Sequence, residues 1–103
     1  MGALTQTPKN AIGLKDDVIT LKCSSDGPYG TLQWSRDGTP MVSEECLPLD
    51  PRYSTTHNST NNDCFLLVHA NYTSQVSGSY ICFEYPFPFP RDNAEVFVII
   101  IGQ

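Results

Sequence analysis

The sequence has little positive charge. Six lysines and arginines stand against eleven aspartates and glutamates, a formal net charge of −5 at pH 7, and nucleic-acid binding, which draws its affinity from neutralised phosphates, is excluded as an expectation. No apolar run reaches 18 residues and no basic stretch leads into an apolar one, so neither a membrane-spanning helix nor a signal peptide is expected within these residues. Helical periodicity is missing throughout. The cysteines form no Cys-x-x-Cys pair, and His57 and His69 stand isolated. No metal centre is therefore expected. A Gly-x-Ser-x-Gly elbow is also absent, and no residue is a candidate for catalysis. Neither a cofactor nor a small-molecule substrate is implied.

What is present fits one small extracellular domain. At 103 residues a single core is the usual solution. Four cysteines, Cys23, Cys46, Cys64 and Cys82, form an even set in a short chain and point to two disulfides and an oxidising compartment. Four cysteines alone permit three pairings. Two acceptor triplets, Asn58-Ser59-Thr60 and Asn71-Tyr72-Thr73, make Asn58 and Asn71 candidate glycosylation sites in the same compartment.

Short β-branched and aromatic runs recur between clusters of Gly, Pro, Asn, Asp and Ser, which predicts an all-β class. Strands are expected over 4–7, 18–24 and 31–36. The Asp37-Gly38 step then signals a hairpin turn into a returning edge strand over 40–43. Residues 44–63 are polar, carry Pro48 and Pro51, and read as irregular structure with at most one short edge strand. A strongly apolar strand follows over 65–70, in which Phe65 with Leu67 or Leu66 with Val68 would serve equally as the inward pair. Two more strands are expected, over 78–83 and 95–101.

Cys23, Trp34 and Cys82 have the spacing of an inter-sheet disulfide packed beside a tryptophan on the third strand. Tyr80, two residues before Cys82 in Ser77-Gly78-Ser79-Tyr80-Ile81-Cys82, fits a tyrosine corner, whose hydroxyl bonds back to main chain. With about seven strands, this constellation resembles an immunoglobulin-like β-sandwich. On that resemblance Cys23 pairs with Cys82 and Cys46 with Cys64, the bridges contributing roughly 4 and roughly 3 kcal/mol by loop entropy. Val76 stands where variable-type domains usually place an acid. That departure, with the short stretch between Trp34 and Phe65, favours a compact constant-like (C2-type) sandwich.

Three segments are similar to the ectodomain of the epsilon chain of the T-cell receptor's invariant signalling complex. They are Leu4-Thr5-Gln6-Thr7-Pro8, Val18-Ile19-Thr20-Leu21-Lys22-Cys23, and the stretch from Ser77 through Cys82 to Pro90-Arg91-Asp92-Asn93-Ala94-Glu95. The likeness covers about half the domain, and the Cys46 and Cys64 pair is not part of the mammalian pattern. It implies a subunit at the plasma membrane that pairs side by side, through its last strand, with a homologous gamma- or delta-type chain and docks beside antigen-receptor chains. Carried onto this sequence, the partner-binding residues are Glu95, Val96, Phe97, Val98, Ile99, Ile100 and Ile101. A second resemblance runs to costimulatory and adhesion-type receptors, whose proline-rich loop corresponds to Glu84-Tyr85-Pro86-Phe87-Pro88-Phe89-Pro90. It would offer Tyr85, Phe87 and Phe89 to a counter-receptor. An antigen-receptor variable domain is disfavoured, because the last strand lacks the Phe-Gly-x-Gly bulge.

The last strand carries a clue independent of resemblance. Six consecutive large apolar residues, 96–101, send one alternating trio into the core and leave the other outside. Uncovered, such a trio invites association.

Overall fold

The computed structural model describes residues 4–27, 32–58, 60–71, 76–84 and 93–101. Ten strands build the described part: β1 (Leu4–Gln6), β2 (Ala11–Leu14), β3 (Val18–Leu21), β4 (Ser24–Ser25), β5 (Leu32–Arg36), β6 (Thr39–Pro40), β7 (Tyr53–Asn58), β8 (Asp63–His69), β9 (Gly78–Glu84) and β10 (Asn93–Ile101). They form two five-stranded sheets. One runs β1-β4-β8-β3 with β7 on the free side of β8, and the other runs β2-β10-β9-β5-β6. The count exceeds the seven expected strands by three, because β2 follows β1 on the other sheet, the strand expected over 18–24 is divided into β3 and β4, and β7 is added before β8.

Alternation explains most of the packing. In β9, Tyr80, Cys82 and Glu84 point inward, and in β10 Val96, Val98 and Ile100 do the same. In β8 the inward set is Cys64, Leu66 and Val68, so Phe65 and Leu67 face outward. The two sheets are clasped by Cys23–Cys82, with Cα atoms 6.6 Å apart, and Cys46–Cys64 ties the long polar segment to β8, with Cα atoms 5.9 Å apart. Trp34 lies opposite Cys82 on the neighbouring strand and is fully buried. Its indole N–H donates to the Cys64 carbonyl at 2.8 Å, so the buried polar atom is satisfied.

The β5–β6 hairpin turns on Asp37 and Gly38, both at positive φ (52° and 80°), the two-residue turn that an Asp-Gly step favours. The structure refines two expectations. Patterning predicts irregular structure with at most one short edge strand over 44–63, and β7 is that edge strand, longer than expected at six residues and paired along its whole length with β8. Only its first residue, Tyr53, enters the core, and Thr56, His57 and Asn58 face water, so backbone pairing makes this strand without any apolar alternation. Patterning also predicts no strand at β2. Its Ala-Ile-Gly-Leu sequence includes a residue that weakens strands, but that glycine is what lets it pack closely: a Cβ on Gly13 would lie 2.6 Å from Ile19 Cδ1.

Candidate protein-binding surface

The outward face of the β2-β10 edge carries the least water-compatible surface described in the molecule. Phe97, Ile99 and Ile101 on β10 and Ile12 and Leu14 on β2 are each between 50% and 71% exposed. Parallel pairing sets Ile12 beside Ile99 and Leu14 beside Ile101, so the five side chains form one patch. Toward the middle of the sheet, Ile81 and Phe83 of β9 lie opposite Glu95 and Asn93 and are half-buried. Gln33 and Ser35 of β5 follow. The patch is thus apolar at one edge and becomes polar across the sheet, with Glu95 accepting from Ser79 Oγ at 2.5 Å.

This geometry divides the expected partner-binding residues by the direction of their side chains. Val96, Val98 and Ile100 are core residues at 0%, 1% and 7% exposure, because strand parity sends their side chains inward. The edge of β10 is not free along its whole length either. Residues 98–101 pair with β2, and the Phe97 N–H donates to Asn10 Oδ1 at 2.9 Å. Side-by-side merging of two sheets through β10 therefore finds that edge occupied from Phe97 onward. Of the seven residues, Phe97, Ile99 and Ile101 present apolar side chains, and Glu95 adds a charge.

The corner at the start of β9 is closed by a network of hydrogen bonds. The Tyr80 hydroxyl donates to the Val76 carbonyl and lies 3.0 Å from the Tyr53 hydroxyl, with the two rings 6.0 Å apart and edge to face. Arg36 sits over the Tyr80 ring at 5.2 Å and donates to the Tyr53 hydroxyl at 2.8 Å and to the Ser77 carbonyl at 2.6 Å. Burial, and then the hydrogen bond to Tyr53, push the Tyr80 phenol far above its ordinary range. Where an acid at position 76 would meet a base, Val76 supplies only its carbonyl. The nearby Arg52 pairs instead with Asp50 at 2.7 Å, and this hydrogen bond lowers the Asp50 carboxyl and raises the Arg52 guanidinium.

Sequence reasoning missed Arg36, Tyr53 and the buried Glu84, whose carboxylate accepts from Ser25 Oγ across the sandwich. Parity from Cys82 could have placed Glu84 inside; no local signal marks Arg36 or Tyr53. Asn58 is exposed at the end of β7, its Oδ1 accepting the Thr60 N–H at 2.9 Å, and Asn71 is exposed beyond β8. Tyr85, Phe87 and Phe89, expected as a ligand loop, lie outside the described residues. His69 reaches Ser54 Oγ at 2.8 Å on the outer face of β8. Among the described residues, no group of three or more His, Cys, Asp or Glu side chains could hold a metal ion. No described helix is long and apolar enough to cross a membrane.

No protein-family model matches the sequence, and no curated protein does. Solved structures do match in shape. Duf (Kirre) D1 is similar over 98% of this chain and 97% of its own, with a TM-score of 0.79 and 18% identity. Rst D1-D2 is similar over 96% of this chain and 48% of its own, with a TM-score of 0.77 and 19% identity, so this chain spans about half of that structure. A chain of the mutant titin M10–obscurin-like 1 Ig complex is similar over 97% of this chain and 92% of its own, with a TM-score of 0.73 and 18% identity. Two disulfide-linked sheets, the tyrosine corner and these likenesses together establish that the chain has the immunoglobulin-like fold.

Proposed function

We propose that this domain is a non-catalytic, extracellular protein-binding unit of a cell-surface receptor, and that it pairs with a homologous immunoglobulin-like chain through the outward face of β10 and β2. The observation that carries it is the patch of Ile12, Leu14, Phe97, Ile99 and Ile101, five large apolar side chains left at least half exposed on one sheet face. Burying two or three of them, each already about half covered, contributes roughly 2 to 4 kcal/mol before the cost of association. The resemblance of the opening, second-strand and final segments to the epsilon chain carries the reading further. It makes the domain a subunit of a T-cell antigen receptor signalling complex, with a gamma- or delta-type chain as partner and antigen-receptor chains beside it. The occupied edge of β10 favours contact through the sheet face over a continuous intermolecular sheet.

The test is binding of the folded domain to gamma- and delta-type ectodomains with Ile99→Lys and Phe97→Asp variants. Both should keep their unfolding midpoint and lose at least about tenfold in affinity, since each removes one buried contact of about 1.4 kcal/mol or more. Pairing that survives both variants unchanged rules the face out. The sequence that follows Gln103 in the full protein tests the finer assignment: a Cys-x-x-Cys stalk, an acidic residue in a membrane span and a tyrosine-based cytoplasmic motif are expected, and their absence removes it.

A further inference from the structure

We propose that the N-terminal arm, β1 and β2 (residues 4–14), is an exchangeable element that docks on β10 of a second copy of this chain. Three independent observations converge on it. The arm contributes little to its own core: β1 has only Leu4 half-buried, its pairing with β4 is irregular, and β2 turns inward only Ala11 and Gly13.

The hinge that would open is short and strained. Residues 15–17 link β2 to β3, and Asp16 sits at φ 75°, a left-handed conformation that disfavours a residue with a Cβ. Asp17 closes the turn by donating its N–H to the Leu14 carbonyl at 3.0 Å and accepting the Leu14 N–H on its carboxylate at 2.8 Å. Extension of residues 15–17 releases the left-handed residue, and strained short hinges of this kind favour exchange. Both strands that flank the hinge end in exposed apolar residues, Leu14 and Val18, with Ile101 beside Leu14. Two copies joined through extended hinges meet at this pole and can cover all three.

The slot on β10 selects its occupant. With Gly13 in place, the Ile19 and Ile100 side chains approach so closely that a Cβ would lie 2.6 Å from Ile19 Cδ1 and 3.5 Å from Ile100 Cδ1. A strand that fills this slot without displacing the Ile19 side chain carries glycine at that position. The same arm from a second copy satisfies the slot fully and restores the pairing of β2 with β10, so that exchange gives up only the hydrogen bonds between Asp17 and Leu14 that close the turn. This inference does not depend on the proposed receptor role, because it rests on the arm, the hinge and the slot, and Ile12, Phe97 and Ile99 stay on the outward face in either arrangement.

Ala11 and Val98 are neighbours in register and both face the core, so only a docked β2 brings them together. Copies carrying Ala11→Cys are mixed with copies carrying Val98→Cys, concentrated and oxidised. A disulfide-linked dimer of one copy of each is expected, and the double variant in one chain should close internally when oxidised dilute and give dimers held by two such bridges when concentrated before oxidation. If Val98→Cys does not fold, Ile12→Cys with Ile99→Cys serves as the pair. Asp16→Gly, which removes the left-handed penalty at both hinges, should lower the dimer-to-monomer ratio by about tenfold. A chain that stays monomeric at the highest concentration reached overturns the proposal. So does a dimer that forms no cross-link between copies, or one whose amount Asp16→Gly leaves unchanged.

Discussion

The Tyr80 hydroxyl has two partners inside the sandwich, the Val76 carbonyl and the Tyr53 hydroxyl. Tyr80→Phe strands a buried carbonyl and should cost about 1–3 kcal/mol in denaturant unfolding. The same side chain sets the alkaline limit. Its folded pKa lies above the unfolded value of about 10, so its contribution is complete below pH 10 and is lost as the pH rises beyond it. The Phe variant should therefore unfold with a flatter dependence on pH above 10. Asp50 behaves in the opposite sense. Its folded pKa is depressed by Arg52, so its stabilisation is present above about pH 4 and fades as the pH falls. Both partners are about a third exposed, at 29% and 31%, and Asp50→Asn should cost less than about 1 kcal/mol at neutral pH, visible mainly as a flatter acid limb. Tyr80 was legible in the sequence because the Gly-x-Tyr-x-Cys spacing is local. Arg36 and Tyr53 were not, since they reach the corner from distant strands and only the fold brings them there.

Among the elements, β8 shows what would have settled an open choice. Phe65 with Leu67 and Leu66 with Val68 look alike by hydropathy, but a disulfide to Cys46 requires Cys64 to face the interior, and period two then carries Leu66 and Val68 inward with it. Once the pairing of the cysteines is accepted, the register follows. For β7 no such anchor exists: its strand character rests on hydrogen bonds to β8 and on Thr55 Oγ1 donating to the Cys46 carbonyl at 2.6 Å. The second bridge is what holds that region in place. Replacing Cys46 and Cys64 together by alanine should cost about 3 kcal/mol in thermal or denaturant unfolding, with β7 amides losing hydrogen-exchange protection before those of β9. Loss confined to β9 would contradict this division of roles.

At the scale of the whole molecule, β2 and β10 run in the same direction, with Ala11 beside Val98 and Leu14 beside Ile101. The polypeptide enters this ladder at one pole and departs at the other. Tension applied by pulling the two ends apart therefore slides one strand along the other, and all the bonds between them carry the load at once. Strands pulled from a shared end would instead unzip rung by rung. The same arm, held by few core contacts, should thus resist when the chain is stretched. In single-molecule pulling, Gly13→Val, whose side chain collides with Ile19, should lower the rupture force. An unchanged force would place the resistance elsewhere in the sandwich.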